Sequence, residues 1–415
     1  MLINSTKPAV TLPPFATIKP ATLLPSGPTD GFQKSQAVPA LGLMKPMIVA
    51  ATPAQPVGAV ADYAAQSSIV AHTLARELCP GFVSVALGDM GSKFEQMNSG
   101  YNGPNSGYDN SMVWVRDYHP TYVRQPDGNL KVVKYLSENP TRSQFDHSDY
   151  VPVNPPKPGQ EFYRTPGAST VGRWLDTETM PIKHEDGNLV STGEYAFMTD
   201  RVFSQNAEPG TPALYAAGYK PRQPGEVLDI LSKGIDMPTD KMVVLPKMPG
   251  EATGHVDMFV MALGPKKVLL PQIEDQALQT ITYPQEIGVG KQVQSFLDEQ
   301  AAKLKEQGFD VERLPMMPPN YLSADATNSA GWRGHFYSPT NSLLVNIDGS
   351  GKKEAILPTF DAEGYPDNYK QLNQSYQKRW QTFFQGEGYE PQLVDATKLG
   401  QANGLFRCLT HPVPA

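Results

Sequence analysis

Lys267-Val268-Leu269-Leu270-Pro271, followed by Val293, Phe296, Leu297, Ala301 and Leu304 and closed by Gly308, reads as a buried strand feeding an amphipathic helix. The first run is short and apolar without alternation, which suits a strand covered on both faces. The second repeats at helical spacing over about 291–307, and glycine is the residue on which helices commonly end. A strand, a helix and a returning strand make the unit of an α/β fold.

Working outward, the unit recurs. Helical patterns cover 62–78 (Asp62 at its start, Val70, Leu74 and Leu78 on one face), 226–233, and 366–385, which opens at Pro366 and carries Tyr369, Leu372, Tyr376, Phe383 and Phe384. Short runs rich in Val, Leu and Ile predict strands at 83–87, 112–116, 121–124, 131–135, 242–246, 256–263, 267–271, 342–347, 354–358, 392–394 and 405–409. Strand–helix–strand units begin near 46, 215, 267 and 342. Those intervals are too uneven for a sequence repeat, so the repetition is architectural.

Two stretches break the rhythm. Residues 1–45, punctuated by Pro8, Pro13, Pro14, Pro20, Pro25, Pro28 and Pro39, read as an extended and partly disordered arm, with order starting at Pro46. Residues 139–181 hold seven prolines interleaved with Tyr150, Phe162, Tyr163 and Trp174. They read as a long packed surface loop, over a substrate entrance, rather than a free linker. The division expected is therefore an arm at 1–45 and one domain at 46–415.

Composition narrows the function. Hydrophobic residues at 40% and charged residues at 19% describe an ordinary globular chain. A net charge of −7 argues against nucleic acid, whose binders carry a basic face. No run approaches the roughly 20 apolar residues that cross a bilayer, and Met1–Thr22 shows no secretory signal. Two cysteines, Cys79 and Cys408, exclude a disulfide scaffold and a cysteine zinc cluster. A cytoplasmic setting is the expectation, with neither nucleic acid nor membrane as partner; nothing in the sequence speaks to oligomeric state.

Five clusters bear chemistry. Cys408 stands in Gly-Leu-Phe-Arg-Cys-Leu-Thr-His-Pro, where Arg407 and His411 are candidate thiolate stabilisers; a lone cysteine in an apolar strand is also simply a small hydrophobe. In Gly254-His255-Val256-Asp257 a strand would turn His255 and Asp257 to one face, though His-x-Asp equally supplies two metal ligands or a polar strand edge. Trp114-Val115-Arg116-Asp117-Tyr118-His119-Pro120 puts Trp114 and Arg116 on one face and Asp117 at a turn. His184-Glu185-Asp186-Gly187-Asn188 reads as a hairpin turn or a cation-binding acid pair. Thr340-Asn341-Ser342 leads into a buried strand.

Together and in this order, Trp-x-Arg-Asp-x-x-Pro, Glu-x-Gly-Asn, Gly-His-Val-Asp, Thr-Asn-Ser-Leu and Cys-x-Thr-His resemble the guanidine-modifying superfamily over about 46–415. Bacterial peptidyl-arginine deiminases of the Porphyromonas type come first, agmatine deiminases next. The resemblance implies an α/β fold, a five-bladed pseudo-symmetric propeller (a pentein) with a central active-site channel. It implies a nucleophile at Cys408, a catalytic histidine at His255, and guanidinium-holding acids at Asp117 and Asp257. It adds Asn341 as a site residue, with Trp114, Arg116 and Glu185 as candidate substrate contacts. It implies no cofactor and no metal, and a guanidinium substrate: peptidyl-arginine, agmatine or free arginine. Family members commonly carry Gly where this chain has His119 and Asp186, changes that would narrow the channel or alter substrate choice. Two other classes stay open: a metallohydrolase using His255, Asp257, His184 and Glu185, and a non-catalytic binding scaffold.

Overall fold

The computed structural model describes residues 36–37, 44–51, 84–87, 115–118, 121–125, 129–136, 160–164, 172–281, 284–319, 335–346, 353–360, 365–401 and 404–414. The expected helix at 62–78 and most of the 1–45 arm lie outside them, as do Cys79, Trp114 and His119. In chain order the strands are β1 (Gln36–Ala37), β2 (Met44–Ala51), β3 (Ser84–Leu87), β4 (Thr121–Arg124), β5 (Leu130–Leu136), β6 (Gln160–Arg164) and β7 (Gly172–Lys183). They continue with β8 (Val190–Ser191), β9 (Ala196–Thr199), β10 (Met242–Leu245), β11 (Met261–Ala262), β12 (Lys267–Gln272) and β13 (Asp310–Pro315). The last are β14 (Leu343–Asn346), β15 (Lys353–Thr359), β16 (Glu390–Asp395) and β17 (Thr410–Pro414).

Among the described residues these form five sheets, ordered β1-β4-β5-β7-β6, β10-β9-β8, β11-β12-β13, β14-β15-β16 and β17-β2-β3. One rule builds all of them. A strand pairs antiparallel with a second, and the second pairs parallel with a third: β4/β5/β7, β8/β9/β10, β11/β12/β13, β14/β15/β16 and β17/β2/β3. An antiparallel step needs only a tight turn, whereas a parallel step needs a crossover. Helices supply three of the crossovers: Arg201–Ala207, Pro212–Ala216 and Pro224–Ile235 before β10; Asp275–Leu278 and Pro284–Glu306 before β13; Asp367–Gly386 before β16. Between β5 and β7 the described residues hold β6 instead.

The helices form where the apolar stripes lie. Val293, Leu297 and Leu304 are fully buried on the helix Pro284–Glu306, as are Tyr376 and Phe384 on Asp367–Gly386. Burying each such side chain contributes on the order of 1.5–3 kcal/mol. Gly308, at φ +84, ends the first of these helices, with Phe309 N–H donating to the Leu304 carbonyl at 3.0 Å. Glu226 accepts the Gln223 N–H at 3.0 Å to start Pro224–Ile235, and Trp380 donates its indole N–H to the Pro315 carbonyl at 2.6 Å. No helix among the described residues is long and apolar enough to cross a membrane.

The structure corrects several expectations. The 139–181 stretch contains β6 and most of β7, and Gln36–Ala37 within the expected arm pairs with β4. Part of 112–116 is the short helix Val115–Tyr118; 256–263 is a 3-10 turn, Val256–Met258, before the two-residue β11; 405–409 is a short helix, Phe406–Leu409, preceding β17. All three segments carry polar or charged side chains inward, and tight helical turns let neighbouring residues fan round one point where a strand would alternate them. The strand expected to start at Pro46 begins two residues earlier, at Met44 in β2.

Candidate active site

Short turns at strand ends bring the predicted residues together. Asp117 sits on Val115–Tyr118, Glu185 precedes the 3-10 turn Asp186–Asn188, His255 precedes Val256–Met258, Asn341 ends Pro339–Asn341, and Cys408 lies in Phe406–Leu409. Asn188 ties two of these turns. Its Oδ1 accepts the Thr199 N–H at 2.8 Å and the Val256 N–H at 3.2 Å, and Thr199 Oγ1 in turn donates to the Gly254 carbonyl. Glu251 braces the approach to His255, accepting from Thr253 Oγ1 at 2.8 Å and from the Gly254 N–H.

The His255 imidazole is buried between two carboxylates. Its Nε2 lies 2.8 Å from Glu185 Oε2, and its Nδ1 lies 3.6 Å from Asp117 Oδ1. Burial alone pulls the imidazole pKa down, but Asp117 and Glu185 outweigh it and leave it at about 9. Burial pushes Asp117 up to about 7, opposed by His255. Burial also pushes Glu185 up, yet the bonds from His255 and Arg201 bring it down to about 2. The imidazolium and the Glu185 carboxylate are thus a paired charge at neutral pH.

Gly187 makes the close approach possible. Its N–H donates to Asp117 Oδ1 at 3.3 Å, and a Cβ there would meet His255 Nδ1 at 2.5 Å and Asp117 Oδ1 at 2.7 Å. Any side chain at this position displaces one of the two.

The sulfur stands opposite a second acid. Cys408 is buried, and burial together with the charges of Asp257 and Asp117 holds its thiol well above the ordinary range. Asn341 Nδ2 lies 3.3 Å from Cys408 Sγ and 3.5 Å from the Asp257 carbonyl. Asp257 is fully buried, and burial raises its pKa although Arg407 opposes this. Arg407 Nε lies 3.4 Å from Asp257 Oδ2, aligned for attraction but not for a hydrogen bond. Neither carboxylate oxygen of Asp257 accepts a hydrogen bond among the described residues.

The arginines are structural in their contacts. Arg407 faces Asp257 and donates from Nη2 to the Leu189 carbonyl at 3.2 Å, so its charge answers the acid and does not lower the neighbouring thiol as the sequence led us to expect. Arg116 donates from Nε to the Arg407 carbonyl at 2.7 Å; burial and Arg407 reduce its pKa to about 9. It therefore braces the Cys408 turn. His184 is buried, and burial lowers it to about 4; its Nε2 lies 3.9 Å from Asp186 Oδ1. Thr121 Oγ1 donates to the same Asp186 oxygen at 2.6 Å. The side chain of His411, like Trp114 and His119, lies outside the described residues.

The sequence reading missed Arg201, Gly187 and the Asn188–Thr199 clamp. Arg201 donates from Nη2 to Glu185 Oε2 at 2.8 Å. Glu-x-Gly-Asn was the only available signal for the clamp and the glycine; nothing in Thr199-Asp200-Arg201 marks the arginine.

No protein-family model matches the chain, and no curated protein sequence does. Solved structures do. An agmatine deiminase of C. jejuni matches at a TM-score of 0.56 and 13% identity, over 92% of this chain and 97% of its own. A Porphyromonas gingivalis protein assigned as an arginine deiminase gives 0.58 and 15%, over 92% and 98%. The agmatine deiminase of Enterococcus faecalis gives 0.55 and 14%, over 92% and 96%. Identities this low speak for architecture, and on that level the motif resemblance holds: this chain has the α/β fold of the agmatine and arginine deiminase structures.

Proposed function

We propose that the chain is a cysteine-dependent deiminase that hydrolyses a guanidinium group, with Cys408 as nucleophile, His255 as acid–base group, and Asp117 and Asp257 as the acids that hold the cation. The observation that carries this reading is one buried thiol that feels the charges of two carboxylates, half-buried Asp117 and fully buried Asp257, the latter accepting no hydrogen bond among the described residues. A guanidinium is flat, cationic and rich in N–H donors. Charge-assisted bonds to two acids fix its plane beside a nucleophile.

The chemistry follows from the charges. In the empty site the thiol keeps its proton, because ionising it would place a third negative charge beside Asp117 and Asp257. A bound guanidinium offsets those charges, and the thiol then gives its proton up to solvent. Cys408 Sγ bonds to the guanidinium carbon as a carbon–nitrogen π pair moves onto nitrogen. One terminal carbon–nitrogen bond breaks, and ammonia leaves with the proton of the His255 imidazolium. The thiouronium left on sulfur is attacked by water, whose proton passes to neutral His255. The carbon–sulfur bond then breaks and the proton left on the new oxygen passes to the departing sulfur, releasing the neutral ureido product and the thiol. Glu185 keeps His255 oriented and charged, which is the part of the site the resemblance had given to substrate. Asn341 aligns the sulfur.

Peptidyl-arginine, giving citrulline, is the substrate we favour, on the Cys-Leu-Thr-His and Thr-Asn-Ser-Leu motifs. Agmatine, giving N-carbamoylputrescine, is the second reading, since two of the matched structures are agmatine deiminases. The uniform antiparallel-then-parallel pattern of the sheets supports five blades in one catalytic domain, to which Gln36–Ala37 and residues 44–45, within the expected arm, also contribute strand residues. A metallohydrolase is disfavoured because Glu185 and Asp257 already face Arg201, His255 and Arg407. The test is a colorimetric ureido assay with agmatine, arginine and a blocked arginyl peptide, on wild type and Cys408→Ser. Turnover of the peptide, lost in Cys408→Ser and untouched by chelation, supports the reading. Turnover of agmatine alone moves the substrate, and no turnover of any of the three removes the function.

A further inference from the structure

Glu185 Oε2 is one atom with two cations on it. His255 Nε2 and Arg201 Nη2 each lie 2.8 Å away. The two cations differ in surroundings: the His255 side chain is 3% exposed, whereas Arg201 and Glu185 are 32% and 31% exposed. Arg201 opens the helix Arg201–Ala207, and its backbone N–H donates to Thr199 Oγ1 at 3.3 Å. That hydroxyl also bonds the Gly254 carbonyl, and a Cβ on Gly254 would lie 3.3 Å from Arg201 Cδ. Backbone and stem of Arg201 are thus fixed to the same turn that carries His255.

We propose that Arg201 is a positioning residue for the candidate acid–base group: by binding the Glu185 oxygen that also binds His255, it fixes the carboxylate and limits how tightly that oxygen retains the imidazolium proton. The proposal rests on the deiminase reading for its use, but not for its geometry. A carboxylate oxygen divided between two donors gives less to each than one devoted to a single donor. The other groups facing the imidazole are Asp117 from Val115–Tyr118, Asp257 from its own turn, and His184. Among the described residues no hydrogen bond or ion pair joins any of these to Arg201, whereas Glu185 binds both cations, so Glu185 is the link through which removing Arg201 reaches His255. Its effect is to let His255, which Glu185 and Asp117 keep charged, release its proton to a leaving nitrogen.

The test follows the imidazole itself. The full chain is labelled with 15N in histidine, the His255 signal is assigned by comparison with His255→Asn, and its titration is recorded. Arg201→Met and Arg201→Gln keep the stem and remove the charge; each is expected to raise the proton affinity of His255 several-fold. Arg201→Lys is expected to leave it near the wild-type midpoint. In a Glu185→Gln background, Arg201→Met is expected to have no further effect. An unchanged midpoint in both neutral variants overturns the proposal, and so does a shift of equal size in the Glu185→Gln background. Because the titration requires no turnover, a shifted midpoint in a protein that fails the ureido assay would retain this role for Arg201 and remove the deiminase.

Discussion

The amide of Asn341 faces Cys408 with both of its ends: Nδ2 lies 3.3 Å from Sγ, while Oδ1 accepts the Arg407 N–H at 3.1 Å. One side chain therefore holds the backbone one residue before Cys408 and touches the Cys408 sulfur. Asn341→Ala leaves a buried N–H without its acceptor, a loss on the order of 1–3 kcal/mol. We expect this in the urea midpoint, together with a fall in kcat larger than any rise in KM. Unchanged kcat would mean that the sulfur needs no such alignment.

Gly187→Ala should be nearly silent in secondary structure and severe in activity. The added methyl meets His255 Nδ1 and Asp117 Oδ1, and a displacement of about 1 Å at reacting groups costs about 100-fold. Circular dichroism and kcat/KM on the same preparation separate the two effects.

Asp257→Asn leaves Arg407 buried without its counter-charge. Breaking such a pair costs about 3–5 kcal/mol. Replacing both partners, as Asp257→Asn with Arg407→Met, should recover much of the stability while activity stays lost. If the double variant is as unstable as the single, the 3.4 Å pair is not what the single variant broke.

The pH response has a definite sign. The folded pKa of His255 is raised from 6.5 to about 9, so its contribution to stability is complete below the unfolded value and is lost as pH rises through the folded one. Asp117 is likewise raised, from 3.8 to about 7, and its contribution falls away across that interval. Stability should therefore decline from neutral toward pH 10, and His255→Asn should flatten the decline above pH 7. A decline of unaltered slope in that variant would assign the titration elsewhere.

Cys408 should discriminate reagents by charge. Its thiol is held neutral by burial, Asp257 and Asp117, so iodoacetamide should react slowly at neutral pH. A haloacetamidine brings the missing cation and should react at least about tenfold faster, which needs only 1.4 kcal/mol of selective attraction. Equal rates would indicate that no cation-holding site surrounds the sulfur, as in a binding scaffold.

What could be read from the sequence was whatever one element decides. The stripes of 291–307 and 366–385 are local, and a helix formed over each, the first starting seven residues earlier than its stripe, at Pro284. The strands β6 and β7 were invisible because prolines and polar residues leave no continuous apolar run over Gln160–Arg164 and Gly172–Lys183. The site was legible as a set of residues but not as a geometry. His255 and Asp257 were paired by strand alternation, whereas a tight 3-10 turn brings them together. Arg407 beside Cys408 suggested a lowered thiol pKa; chain proximity does not reveal that its guanidinium reaches away to Asp257. Arg201 lay beyond reach altogether, since its importance comes from an oxygen sixteen residues away in sequence.

The pairing of β17 with β2 joins the segment after Cys408 to a strand that precedes every other part of the site. During synthesis the earlier strands, the helices of the three crossovers and the two acids proposed to hold the cation leave the ribosome first, and the turn that carries Cys408 comes after them. A chain halted before residue 408 would hold a cradle for the cation with nothing to attack it. On the deiminase reading proposed above, chemical competence arrives only when translation has passed that turn, which guards a half-made molecule from premature reaction.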